Sequence, residues 1–346
     1  MDFTFLDIFI IIAVILLMAV PAFILRKVKL LNESSLKPLS IVLLYILQPF
    51  LVINAFANFG VEPTAAIARN LAIMFGLGIA AHVIPFFILK LTVYFTKKTD
   101  DEAKRLRKGA FLMSAVFGNA GFVGVNFILM LFNDGSHAPL YAAAFVSAFN
   151  IMLWTLGVFS TTNDFKKVEW KKTLLAPAIV AVFIAVPLFF IPQINFLRTV
   201  SYDAYGNAIG EITRWGQGVR FLADASLPIS MFIVGIRLGS VPIKSLFTDV
   251  GVLICSTIRL ILVPLLMLAL TLPFLLTGAL YSIDPDNYII VTLFIFASMP
   301  VAASAVAFAE RFDGDKDTAV KAFLFSTLVS LLTVPLMLTL LIAIVS

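Results

Sequence analysis

The chain reads as an all-helical, multi-pass membrane protein made of two inverted five-span repeats, and three observations lead there. Of 346 residues, 61% are hydrophobic and 13% charged, with a mean hydropathy of +1.05. That is more apolar surface than one water-soluble core can hide. The apolar residues fall into ten runs of helical length, and lipid accepts only helices or closed barrels. Helix-disrupting residues recur at one offset: Pro49 and Pro228, Pro85 and Pro264, and Gly121 and Pro300 are each 179 residues apart, as are Ser147 and Ser326. Proline removes a helical hydrogen bond and clashes with the preceding turn, so this register points to a duplicated unit with broken helices.

The runs cover about 5–25, 38–57, 66–89, 108–131, 139–160, 173–191, 217–237, 247–276, 287–309 and 318–345. The first follows Asp2 and Asp7 with no basic segment before it, and stays apolar too long for a cleaved signal peptide. It is taken as the first span. The repeats are expected at 1–165 and 166–346. Cys255 is the single cysteine and lies in an apolar run, so neither disulfides nor a cysteine metal site holds this fold. No cofactor, metal or nucleic-acid partner is expected.

The net charge of +5 encodes orientation. Twenty of the 25 Lys and Arg residues sit in loops that follow odd-numbered spans: Arg26 to Lys37, Lys90 to Lys108 with Lys97 and Lys98, Lys166 to Lys172, Arg237 and Lys244, and Arg311 to Lys321. Arg69, Arg198, Arg214 and Arg220 lie on the other side, and Arg259 is inside a span. The positive-inside rule then puts both termini outside a cell membrane. Five spans per half make the second half enter in the opposite direction, and inverted repeats place substrate near the midplane between discontinuous helices.

The fourth span carries Ser114-Ala-Val-Phe-Gly-Asn-Ala-Gly-Phe-Val-Gly124 with Asn119 central, and the ninth carries Phe296-Ala-Ser-Met-Pro-Val-Ala-Ala303. At the fixed offset Asn119 aligns with Ser298 and Gly121 with Pro300. Backbone amides freed at such breaks must face a wet cavity, another protein group or a ligand. A half-helix N-terminus favours an anion through its orphan N–H groups and dipole, so a carboxylate site is expected here without a basic side chain. Close packing through Gly118, Gly121 and Gly124 is the plainer alternative. Asn119 among the glycines and the symmetric proline favour the site, with Gly118, Asn119, Ala120, Gly121, Ser298, Met299, Pro300 and Val301 as its backbone.

Phe117-Gly-Asn-Ala-Gly-Phe-Val-Gly124, Asn150 with Trp154-Thr-Leu-Gly157, Leu227-Pro-Ile-Ser-Met-Phe-Ile-Val-Gly235, and Met299-Pro-Val-Ala-Ala-Ser-Ala-Val-Ala-Phe-Ala-Glu310 together resemble the auxin efflux carrier family, in its bacterial permease branch. The resemblance covers essentially the whole chain. It implies the ten-helix inverted-repeat fold shared with bile-acid symporters and sodium/proton antiporters. Spans 1, 2, 6 and 7 would form a scaffold, and spans 3–5 and 8–10 a mobile transport unit with crossing spans 4 and 9. It implies export of auxin, or movement of malate, malonate and related carboxylates, by an elevator-type cycle. A homodimer through the scaffold helices is a further expectation. The family pattern usually places a proline where this chain has Asn126, which leaves the crossing shallower or adds a polar contact.

The resemblance also gives Asn150 a ligand-facing role, where relatives carry glutamine, and puts Asn54 and Ser230 on the scaffold side of the substrate. From the residues alone, an interhelical hydrogen bond is the plainer alternative for Asn150, and Trp154 reads as packing. Arg259, five residues before Pro264, is costly at mid-depth unless paired. Its partner is expected to be a substrate carboxylate, or else carbonyls freed at the Pro264 kink or Asp224. His82 reads first as a structural histidine and second as a proton-coupling group. Arg220 and Asp224 form a self-neutralising i to i+4 pair. Two other functions compete: a cation antiporter of the same fold, whose mid-membrane carboxylates are lacking in spans 3–5 and 8–10, and an anion sensor that signals to a partner. An enzyme is the least expected class, since one buried His and one Cys assemble no nucleophile, base and orienter set.

Overall fold

A computed structural model describes residues 3–57, 63–92, 100–132, 136–168, 171, 174–202, 208–279, 283, 284 and 288–345. Among the basic loop residues, Lys97, Lys98 and Lys172 lie outside the described residues, as do the first residues expected for the sixth and ninth spans. Among the described residues, seven helices are long and apolar enough to cross a membrane: α1 (Phe5–Lys27), α2 (Glu33–Phe56), α3 (Ala65–Lys90), α6 (Ala138–Thr162), α8 (Arg214–Ser240), α9 (Val250–Leu276) and α12 (Lys316–Ile344). The fourth expected span is split into α4 (Glu102–Val116) and α5 (Ala120–Leu131). The ninth is split into α10 (Tyr288–Ser298) and α11 (Ala303–Arg311), and the sixth is the shorter α7 (Pro177–Phe190).

Local chemistry explains where the helices begin. Thr4 and Asp7 form a reciprocal capping box at the start of α1, and the side chains of Thr64, Asp101, Thr213 and Asp249 accept first-turn amides of α3, α4, α8 and α9. Each satisfies a backbone donor that a helix start would leave unpaired. Along α12, Leu332, Leu336, Leu340 and Ile344 are exposed at four-residue spacing, an apolar stripe that suits lipid.

The repeated prolines act differently from one another. Pro85 sits inside the unbroken α3, and Pro228 follows a turn at Ala225 within α8. Pro49 and Pro264 each follow a wider π-type turn, at Leu43–Leu47 and Ile258–Leu262, which contains the carbonyl four residues back that proline cannot bond. Full interruption occurs at 117–119 and 299–302, in the fourth and ninth expected spans. A second departure is an antiparallel hairpin, β1 (Arg198–Tyr202) with β2 (Ala208–Ile212), in the connection between α7 and α8.

Most helix contacts fall within two sets that meet along a seam. α2 lies against α7 and the first part of α8, whose second part packs on α1; α3 lies against α6, while α9, α10 and α11 pack on α12. α1 also runs along α12, and α2 touches α6 across the seam. The loops sort by end. At one end Arg26 bonds Ser240, Lys90 bonds Asn163, Arg107 pairs with Asp249, and Arg237 pairs with Glu310. At the other, Phe132 meets Phe3 and Tyr288, His137 meets Tyr288, and Asn70 bonds Tyr141.

Candidate functional site

α4 ends where Phe117 turns to an extended conformation (φ −94°, ψ 113°), and α11 starts after Ala302 in the same region (φ −66°, ψ 137°). The two interruptions lie side by side and pair antiparallel, with Gly118 opposite Val301. The Asn119 amide donates to the Pro300 carbonyl at 2.6 Å, and the Ala302 amide donates to the Phe117 carbonyl at 2.9 Å. Ser326 of α12 accepts the Val301 amide at 3.0 Å. Much of the backbone set free by the two breaks is thus satisfied across the crossing, as burial away from water requires. The Asn119 side chain is 2% exposed, and its amide nitrogen has no partner.

Arg259 enters this crossing from α9 and is 3% exposed. Nε donates to Met299 O at 2.9 Å, Nη1 to Val116 O at 2.8 Å, and Nη2 to Phe296 O and Ala297 O at 2.8 Å each. Its partners are freed carbonyls. They belong to the ends of α4 and α10, however, and neither to the Pro264 kink nor to Asp224, which pairs with Arg220 at 3.7 Å. Gly118 is required by this contact, since a Cβ there would run into the guanidinium.

Five of the predicted residues line one of two cavities: His82, Gly118, Ala120 and Arg259 the smaller, and Asn150 the larger. The smaller, about 10 Å³, is lined by His82, Gly118, Ala120, Arg259 and Phe296 among others, and has room for about one water. His82 places Nδ1 2.6 Å from Gly78 O, with its ring against Phe117, Phe145 and Phe149. Of these two, the larger, about 100 Å³, has the room for a small organic molecule. Its mostly apolar walls carry Gln48 of α2, Asn150 and Trp154 of α6, Pro177 of α7, and Ser304 and Arg311 of α11. It therefore opens on the seam between the two helix groups.

Asn150 donates Nδ2 to Val146 O at 2.8 Å and accepts Gln48 Nε2 on Oδ1 at 3.0 Å, so an amide pair bridges the seam. The same Gln48 nitrogen would lie 3.4 Å from a Cβ at Gly121, which puts it beside the first turn of α5. The Arg311 guanidinium sits 5.0 Å above the Trp154 ring, and the buried Ser304 hydroxyl has no partner. Ser298 turns back to Phe294 O and Asn126 to Phe122 O, each within its own helix. Asn54 is half-buried on α2 and lines neither cavity, and Ser230 is buried on α8.

Gln48, Ser304 and Arg311 are the residues that sequence reasoning passed over. Gln48 left a signal, as an amide directly before Pro49 in an apolar run. Four π-type turns also converge here, at 43–47 before Gln48, 120–124 after Asn119, 153–157 around Trp154 and 258–262 around Arg259. Such turns are rare and favour functional sites.

A family model described as "Membrane transport protein" matches residues 7–169 and 161–338. No curated protein matches the chain.

Proposed function

Because the chain belongs to the membrane transport protein family, that of the auxin efflux carriers and related permeases, we propose that it moves a small organic carboxylate by elevator-type alternating access. The observation that carries this reading is the paired break at Phe117–Asn119 and Met299–Ala302, which brings the N-terminal ends of α5 and α11 together inside the protein. Those ends favour an anion, and the free Asn119 amide and Gln48 Nε2 supply side-chain donors near them. On this reading a malate-, malonate- or auxin-like anion enters the 100 Å³ cavity and displaces the Gln48–Asn150 bond.

Ten crossings in two inverted halves follow if α4–α5, α7 and α10–α11 each span the membrane beside the seven continuous helices. The sorting of the loops by end supports that count. With the basic end cytoplasmic, both termini lie outside. The group α1, α2, α7 and α8 is the fixed scaffold, and the group α3–α6 and α9–α12 moves along the seam.

The test is uptake of labelled malonate into proteoliposomes that contain the purified protein alone, after a thermal-shift screen of mono- and dicarboxylates has ranked ligands. Asn119→Ala is expected to fold, keep its melting temperature and lose uptake. Unchanged uptake by that variant overturns the site, and flux of Na+ or H+ without any organic substrate overturns the substrate class.

A further inference from the structure

The helix ends that meet at the crossing cancel one another. α4 and α10 bring two C-terminal ends, α5 and α11 two N-terminal ends, and each end carries about half a charge of its sign. Two of about −0.5 and two of about +0.5 sum to nothing. Broken helices alone therefore do not make this place electropositive, contrary to the expectation of a carboxylate site without a basic side chain. A cation is placed with respect to that balance: Arg259 donates to Val116, Phe296, Ala297 and Met299, all at the two C-terminal ends. Its full charge offsets both negative ends, so the two positive ends act unopposed.

We propose that Arg259 is a tethered counter-cation, caged by carbonyls behind the crossing, which gives the site its selectivity for anions without touching them. The inference rests on the carboxylate reading above. It is a positioning role: the fork is spent on carbonyls, and the small cavity between Arg259 and His82 leaves no room for an organic ligand. It also explains the glycine at 118, where any side chain would push the guanidinium out of its cage. The four carbonyls left by removing the side chain form a site of the right chemistry for free guanidinium.

The experiment compares Arg259→Met, Arg259→Gln and Arg259→Lys in proteoliposomes. Both neutral variants are expected to lose about a hundredfold in malonate uptake, as preorganised electrostatic sites do when a key group goes. Guanidinium chloride added to Arg259→Met should restore uptake, whereas urea, its uncharged analogue, should not. Folded neutral variants with wild-type uptake overturn the proposal, and so does a folded Met variant that guanidinium leaves inactive. Where the neutral variants do not fold, Arg259→Lys decides: with the charge retained it should transport malonate and prefer anions, and a folded Lys variant without uptake overturns the inference. If the wild type itself moves no carboxylate, the failure lies in the functional reading, not in the role of Arg259.

Discussion

Gly118 and Ser326 show how little freedom the crossing leaves to single residues. A Cβ at Gly118 meets the Arg259 guanidinium, which is itself fixed by four carbonyls, so neither side can yield. Gly118→Ala is expected to cost about 1–3 kcal/mol, as overpacking does, and to lower both the melting temperature and uptake. Ser326→Ala removes the hydroxyl that accepts the buried Val301 amide, which should cost a similar ~1–3 kcal/mol in thermal unfolding. A variant melting like the wild type would mean that this amide finds another partner. The sequence made Asn119 and Pro300 legible because a breaker and a polar group stand out in an apolar run. It could not show where Arg259 points, since its partners are backbone carbonyls 37 to 143 residues away, and carbonyls leave no mark in composition. The bond from Gln48 to Asn150, 102 residues apart, was hidden for the same reason.

Among the elements, α5 depends on closeness to α10. Gly124 faces the Phe296 ring so directly that an added Cβ would lie 2.7 Å from its carbons, and that ring is stacked on Phe145 at 4.3 Å. Gly124→Val should therefore push α5 off α10 and lower the melting temperature, by about 1–3 kcal/mol of stability. Phe296→Leu in the same chain should recover part of it, and a purely additive double variant would show that the two positions are not packed as described. Helices within the apolar runs were readable, because a run of this length can satisfy its own backbone in lipid as a helix. The π-type turns were not, since one extra residue in a turn leaves the hydrophobic pattern of a buried helix intact. The hairpin at 198–212 was missed because its short alternating strands lie between two strong helical signals.

At the scale of the whole molecule, the large cavity lies toward one end of the seam. The large cavity runs to Arg311, on the side where Arg237 of α8 pairs with Glu310 of α11 at 3.1 Å, while aromatic contacts among Phe3, Phe132 and Tyr288 hold the opposite end together. If α8 belongs to the fixed group and α11 to the moving one, this ion pair must break for the site to change sides. It is then a latch for the state seen here. With the native thiol removed by Cys255→Ala, Ser304→Cys places a reporter on the cavity wall. A membrane-impermeant thiol reagent is expected to label it faster from the basic-loop face, and malonate should slow that labelling. Adding Arg237→Glu puts like charges across the seam and should raise labelling from the other face, and Glu310→Arg in the same chain should reverse the shift. Labelling that stays on one face in all three backgrounds would leave the seam as a fixed interface and remove the elevator from the mechanism.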